Sequence, residues 1–259
     1  MYPIPLRSLY SKNVGNLLLA GRNISASHVA FTSTRVMATC AVVGQAAGQA
    51  AVACLEKGLL PRQLASDKKA VHSLKQRLLR NDQSLRDTKN EDPEDLARVA
   101  RVRASHEAAG KPASLVTNGW TRDIPENKKL GTSFVANAWE APLKPGETWL
   151  ELAWDAPKKI SQVQFTFDSG FQRELTLSSS DAITRGIIRA AQPETVRDYR
   201  LLYRARGSEE WRELASVSGN WQRLRRHRFT AVEAAAVRLE VQATNGIGSA
   251  RVFEVRCYA

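Results

Sequence analysis

The residues best suited to chemistry near the start of the chain surround one glycine–arginine pair. The apolar run VGNLLLA, residues 14–20, leads directly into Gly21 and Arg22. Glycine lets the backbone lie close to a ligand, and an arginine fork donates hydrogen bonds to a phosphate or a polar cofactor edge. An alanine-rich helix is predicted to begin near Thr34 or Arg35, with its unpaired N–H groups and positive dipole end directed back to that turn. These features together predict a site that stabilises a negatively charged group.

The same segment also allows a purely structural interpretation. Gly44 and Gly48 lie four residues apart on one face of the predicted helix, with Ala51 close by. Small residues let a helix press against a sheet or another helix, and such packing explains these glycines as well as a cofactor role does. His28 is the titratable residue of the preceding loop that could face a substrate, so it is the candidate catalytic residue. A hydrogen-bonded structural histidine is the alternative.

The elements that must position these residues form a strand, a loop and two helices. The run at residues 14–20 is predicted to be a buried strand of a parallel or mixed sheet. The first helix is predicted over about residues 34–57, with Gly58 in the position of a C-cap. A second helix is predicted to open at Pro61 and to continue to about Leu79.

The chain then changes from helical to β patterning. Residues 81–100 are charged and poor in large apolar side chains, which predicts a linker. Apolar and polar residues alternate beyond it, which predicts antiparallel strands at 149–154, 160–167, 199–205, 211–217 and 237–243. The sequence therefore predicts an α+β multidomain chain: a partial α/β segment over 1–80, a linker over 81–100, and an antiparallel β-sandwich or jelly roll over 101–259.

Composition narrows the classes of function. The net charge of +12 and pI of about 10.0 suit an anionic partner, yet the basic residues are spread along the chain without a nucleic-acid-binding motif, so no nucleic-acid partner is expected. The three cysteines are too few and too far apart for a disulfide framework. The longest apolar stretch, residues 36–55, contains Gln45 and Gln49, which favours a buried helix over a membrane span. Nothing in the sequence determines the compartment.

About residues 2–80 resemble the C-terminal end of FAD-dependent oxidoreductases related to the fumarate reductase and succinate dehydrogenase flavoproteins. The resemblance is carried by LLLAGRN, a loop containing a histidine, and RVM leading into GQAAGQAA, in this order and spacing. It implies hydride transfer between a substrate and FAD. It also implies that Gly21 and Arg22 lie near the ribityl and phosphate part of the cofactor. Backbone amides of Arg35, Val36 and Met37 would lie near the pyrimidine edge of the flavin, where reduced flavin carries negative charge.

One expected element of such a flavoprotein does not occur in the sequence. Members of this class hold the ADP half of FAD on a βαβ unit with a G-x-G-x-x-G turn, and the 259 residues contain no such turn. We therefore expect a fragment, a truncated gene product or half of a split enzyme, whose partner would be the missing N-terminal flavin-domain half. FAD binding by this chain alone is expected to be weak or absent, and enzymatic activity is left undecided.

Residues 101–259 resemble a galactose-binding-like domain, the discoidin or factor 5/8 type C domain. The resemblance is carried by ASLVTNGWTRD, PGETWLELAW and the closing ARVFEVRCY. Such domains often bind carbohydrate at loops, which implies Trp120, Arg122 and Trp139 as candidate contacts because an indole stacks on a sugar and arginine bonds to hydroxyls. Packing inside the sandwich or against the flavin domain is the alternative role for the tryptophans. A non-catalytic carbohydrate- or surface-binding module is the alternative function.

The same family often carries calcium at an Asp-Gly turn paired with a glutamate of the last strand. This chain has Asn118-Gly119 at the turn and Glu254 as the possible partner. Because one anionic ligand is replaced by a neutral amide, no metal site is predicted.

Overall fold

The chain divides into two units at the Glu91–Asp92 peptide in a computed structural model. The structure describes residues 3–125, 134–171, 173 and 178–259. The segment predicted to be a linker is shared between the two units. Asn90 is buried in the first unit, and Ala97, in a 3-10 turn over Leu96–Val99, is buried in the second.

The first unit is built from four helices, which follow 3-10 turns at Leu6–Leu9 and Gly21–Asn23. The α-helices are α1 His28–Thr34, α2 Met37–Lys57, α3 Pro61–Ser66 and α4 Lys68–Arg80. The predicted helices are therefore present, but the second is divided in two. The Asp67 carboxylate accepts hydrogen bonds from the backbone amides of Lys69 at 2.8 Å and Ala70 at 3.1 Å, so it caps a new helix.

The predicted strand at residues 14–20 is wrong. This segment makes a single β-bridge, between Leu18 and Tyr10, while Val14 and Leu17 are exposed. A strand needs a neighbouring strand for its backbone hydrogen bonds, and the described part of this unit contains no sheet. The hydrophobic run alone could not reveal whether such a neighbour is available.

Helix α2 is less buried than its composition predicts. Its buried residues are Val43, Ala47, Ala50, Ala53 and Cys54. Met37 and Leu55 are exposed at 80% and 83%, and Val42 and Val52 are also exposed. By length and composition it is the helix of the described chain that could cross a bilayer, a property that the core helix of a soluble protein shares.

The second unit is an antiparallel β-sandwich, as predicted. Its longer strands are β1 Arg101–Ala104, β4 Trp139–Pro142, β5 Thr148–Phe167, β6 Val196–Arg204, β7 Arg212–Val217, β8 Leu224–Thr244 and β9 Ser249–Tyr258. A separate pair consists of β2 Ile124–Pro125 and β3 Phe134–Val135, and a short helix α5 covers Asp181–Gly186.

One hydrogen-bonded sheet supplies both layers of the sandwich. Its strands follow the order β4–β9–β5–β8–β6–β7, and β1 pairs with β5. The β5–β8 register shifts between Ala153 and Lys158, so β1 and β6 flank one half of this pair while β9 flanks the other half of β5. Two strands predicted before and after this point, 149–154 and 160–167, are therefore one bent strand.

The core of the sandwich is filled by inward-facing residues of both layers. Leu150, Phe165, Leu201, Val241 and Val252 are among them, each at most 2% exposed. Two long strands shared between the layers and one contiguous core fix the loops at the ends of the sandwich to a rigid base.

Candidate functional site

The glycine–arginine turn of the first unit has the open backbone that the sequence predicts. Gly21 has a φ of +66°, a left-handed conformation that favours glycine. A Cβ placed on this residue would meet nothing within 4 Å. The turn therefore leaves space for another group to approach its backbone.

Two arginines predicted to bind the cofactor converge on one aromatic ring. The guanidinium carbon of Arg22 lies 5.7 Å from the centre of the Phe31 ring, and that of Arg35 lies 5.9 Å from the same centre. Helix α1 carries Phe31, and the Ser27 hydroxyl caps its start by accepting from the Ala30 amide at 3.3 Å. Phe31 is the residue at this site that sequence analysis missed: Arg35 reaches it by the four-residue spacing of helix α1, and Arg22 reaches it only through the folded turn.

The start of α2 adds helix amides to these two cations. Val36 is the extended N-cap residue, and its side chain provides no capping hydrogen bond to the first turn. Val36 and Met37 are exposed, so the first amides of a 21-residue helix end at an apolar surface without a polar side-chain cap. The helix dipole and the arginines favour negative charge at this place.

His28 occupies the first residue of α1 and is exposed. The candidate catalytic residue thus lies on the same short helix as Phe31, one turn before it. Its role in catalysis stays a prediction.

The predicted sugar contacts of the second unit differ sharply in burial. Trp139 is fully buried, and its indole N–H donates to the His106 carbonyl at 2.9 Å. Its packing leaves no indole face for a ligand, so the structural alternative describes Trp139 and we leave it out of the site. Trp120 is half-buried in a turn whose backbone is held by Asn118 and Asn137.

The residues considered for a metal have protein partners. The Asn118 side-chain oxygen accepts from the Trp120 amide at 3.0 Å. Glu254 is 1% exposed and forms a 2.6 Å ion pair with the buried Arg256. Within the described part of the chain, no three His, Cys, Asp or Glu side chains form a group suited to a metal ion.

Arg122 joins an exposed aromatic ring that sequence analysis did not identify. Its guanidinium carbon lies 5.2 Å from the centre of the Phe171 ring, and that of Arg223 lies 4.2 Å from the same centre. Arg223 also donates to the carbonyls of Phe167, at 2.7 Å, and Thr121. These contacts connect the turn after Trp120, the end of β5 and the start of β8, while 53% of Phe171 remains exposed.

Arg173, two residues after Phe171, is held by an ion pair. Arg173 forms a bidentate ion pair with Glu194, and this carboxylate is buried. Gly170 has a φ of +66°, a left-handed conformation that favours glycine, and the Arg173 guanidinium fills the space beside it. Hydrogen bonding to Arg173 lowers the pKa of Glu194, which keeps the pair charged at neutral pH.

A braced turn presents Trp221, which is 67% exposed. The buried Asn220 side chain donates to the carbonyl of Val196 at 2.7 Å and to that of Gln222 at 3.0 Å. Asn245 in turn donates to the Asn220 carbonyl at 3.0 Å. The signal for this residue was present in the sequence, since SGNW is a turn sequence and a tryptophan in a turn has few neighbours to bury it.

We name the surface formed by Arg122, Phe171, Trp221, Arg223 and Arg225 the loop-end surface. Its strands end at the same edge of the sandwich, because Leu224, at the start of β8, pairs with Thr166 near the end of β5. Exposed aromatic rings with arginines beside them form a surface suited to a ligand with both apolar and polar faces.

The two units are similar to different groups of known proteins. The model of the family described as FAD dependent oxidoreductase matches residues 1–78. The resemblance seen in the sequence is thereby confirmed for this segment, and FAD is the cofactor that this family implies. No curated protein matches the chain.

Several solved structures are similar to this chain over about two thirds of its length. Chitosan-binding module 1 of a chitosanase/glucanase from Paenibacillus sp. IK-5 matches with a TM-score of 0.43 and 13% identity, over 64% of this chain and 98% of that chain. The family 32 carbohydrate-binding module of Clostridium perfringens NanJ, solved with galactose, matches with a TM-score of 0.42 and 14% identity, over 63% and 96% of the two chains. At these identities the likeness concerns the fold alone.

Proposed function

We propose that the first unit supplies the flavin-facing part of an FAD-dependent oxidoreductase. The observation that carries this proposal is the family match over residues 1–78, in which Arg22 and Arg35 meet at one ring beside the start of α2. When bound, FAD supplies hydride transfer. The open backbone at Gly21, the arginines and the exposed helix amides fit an anionic, planar group.

The residues of the chain would then have distinct tasks. Arg22 binds the phosphate and ribityl part, and the amides at Val36 and Met37 stabilise negative charge at the flavin's pyrimidine edge. His28 holds or moves a proton on its imidazole next to the substrate. The exposed apolar face of α2 accepts a second polypeptide segment, the one that carries the nucleotide-binding half.

Flavin titration tests this proposal and its limit. We expect weak quenching of flavin fluorescence, with FMN binding more tightly than riboflavin and FAD binding no more tightly than FMN, because the proposed contacts reach only the flavin end. Arg22→Gln should remove the preference for FMN over riboflavin, while Lys69→Gln, an exposed residue of α4, serves as the control. FAD binding about ten-fold tighter than FMN binding would reveal an adenine subsite in this chain. It would overturn the proposal that this chain contacts only the flavin end of the cofactor.

A second function is favoured by the exposed rings of the loop-end surface. We propose that the sandwich binds carbohydrate there, with Phe171 and Trp221 stacking on sugar rings and Arg122 donating to hydroxyls. Trp120, half-buried at the adjoining turn, is kept as a supporting contact. Binding on a glycan array should be lost in Trp221→Ala and retained in Val99→Ala, whose side chain is 71% exposed on the 3-10 turn of Leu96–Val99. Equal binding by both variants would exclude this surface.

A further inference from the structure

We infer that the loop-end surface selects acidic polysaccharides, with a sugar carboxylate paired to Arg225 beside Trp221. This inference rests on the proposed carbohydrate binding and adds the class of ligand. The charged groups near Phe171 and Trp221 have partners of two kinds, oppositely charged side chains and neutral groups.

Three carboxylates near this surface are engaged by cations of the protein itself, whereas the exposed Asp123, next to Arg122, accepts from the Asn137 backbone amide at 2.9 Å. Asp168 pairs with Arg251 at 3.3 Å, and Glu194 pairs with Arg173. Asp198 accepts from the Gly219 amide at 2.8 Å, at the turn that carries Trp221, and pairs with Arg197 at 2.8 Å. These three carboxylates therefore leave little negative charge to repel an anionic ligand.

Arg225 has partners of a different kind. Its guanidinium donates to the side-chain oxygen of Gln222 at 2.8 Å and to that of Asn220 at 3.4 Å, both neutral amides, and it also hydrogen-bonds to the neutral hydroxyl of the buried Tyr199. These bonds hold the guanidinium next to the turn that carries Trp221. None of these partners is negatively charged, so none of them neutralises the positive charge of Arg225. A carboxylate accepting from it would add the attraction of opposite charges and could form a bidentate pair, neither of which a sugar hydroxyl offers.

The Trp221 indole would stack on the apolar face of the same ligand. A turn anchored by the buried Asn220 loses little further freedom when a sugar stacks on Trp221, so binding there is preorganised. An acidic sugar joins the two requirements in one residue, because it has an apolar C–H face for the indole and a carboxylate for the arginine.

A matched pair of polymers separates this inference from the proposed function. Polygalacturonate and the same polymer with all carboxyl groups methyl-esterified differ in charge and keep the same sugar rings. By isothermal titration of the full chain we expect at least about ten-fold tighter binding of the acidic polymer. Arg225→Gln should abolish that preference, and Arg212→Gln, at an exposed arginine paired with Glu210, should leave it intact.

Each outcome of this titration tests a different part of the proposal. Binding of neither polymer overturns this inference, and it overturns the carbohydrate proposal as well when the glycan array also shows no binding. Equal binding of both polymers retains the carbohydrate proposal and overturns selection for acid. Tight binding of the acidic polymer that survives Trp221→Ala overturns the assigned place, since a chain of net charge +12 then attracts the polyanion nonspecifically. Thermal unfolding followed by tryptophan fluorescence verifies that Arg225→Gln is folded, and Arg122→Gln provides a second reduction of charge on the same surface.

Discussion

The two units of this chain differ in how completely their apolar residues are buried. In the sandwich, inward-facing side chains of both layers form one filled core, and the exposed Trp221 at its loop end lies on a braced turn. In the helical unit, the longest helix exposes Met37, Val42, Val52 and Leu55 along its length. A closed core needs nothing further to exclude water, whereas an apolar helix face of this extent marks a contact surface. The sandwich therefore has a closed core of its own, whereas the helical unit exposes an apolar helix face, on which we propose that a second polypeptide segment packs.

The unfolding of each unit can be followed with its own spectroscopic probe. All six tryptophans, from Trp120 to Trp221, belong to the sandwich, so their fluorescence reports its unfolding alone. Helical circular dichroism reports mainly the first unit.

The largest expected effect follows from emptying the sandwich core. Trp139→Ala should lower the free energy of unfolding of the sandwich by about 3–5 kcal/mol, because it leaves a cavity and an orphaned His106 carbonyl. Urea unfolding followed by tryptophan fluorescence measures this change, and Trp139→Phe should cost less. A stability loss below about 1 kcal/mol would contradict a filled core.

Acidification should weaken the sandwich through one buried histidine. Burial, reinforced by the charge of Arg225, lowers the pKa of His227 from 6.5 to about 4, and its Nε2 shares a 2.9 Å hydrogen bond with the Tyr199 hydroxyl. Burial raises the pKa of Tyr199 to about 12, so this partner stays neutral. The unfolded state binds the proton more tightly, so stability is complete above pH 6.5 and falls as the pH drops from 6.5 to about 4.

The amount lost over this pH range is about 3 kcal/mol. His227→Gln should flatten the pH dependence in urea unfolding experiments at pH 7 and pH 4.5, even where its stability at pH 7 is lower. An unchanged slope in this variant would assign the acid sensitivity to other groups.

A smaller effect is expected at a helix cap of the first unit. Asp67→Ala removes the side-chain acceptor for the amides of Lys69 and Ala70 and should cost about 1 kcal/mol, measured by thermal loss of helical circular dichroism. Asp67→Asn keeps an acceptor and should recover most of this loss. If the two variants melt alike, the carboxylate does not act as a cap.

The smallest effect on stability is expected on the exposed face of α2. Leu55→Lys should change the free energy of unfolding by less than about 0.5 kcal/mol, because this side chain is 83% exposed. It should nevertheless reduce the fluorescence of an apolar dye such as ANS bound to the chain, since it places a charge on the exposed apolar face of α2. Loss of helical structure in this variant would mean that Leu55 packs inside the unit and would remove the contrast between the two units.

The sequence alone determined the order of the units, the helices and the sandwich strands. Alanine content, Gly58 and Pro61 predict helix positions because they act within one or two turns of chain. Alternating apolar residues predict strands for the same local reason. The motif around Gly21 and Arg22 likewise identified the flavin-related segment, which the family match supports.

Only the tertiary structure decided which side chains meet and which are hidden. Burial separates Trp139 from Trp221, since both are tryptophans in a β-rich segment and only the strand register places one in the core. The convergence of Arg122 and Arg223 on Phe171 joins residues about 50 positions apart in sequence, and the meeting of Arg22 with Phe31 depends on the path of the intervening turn. The failure of residues 14–20 to form a strand has the same origin, because pairing depends on a neighbour that no local pattern contains.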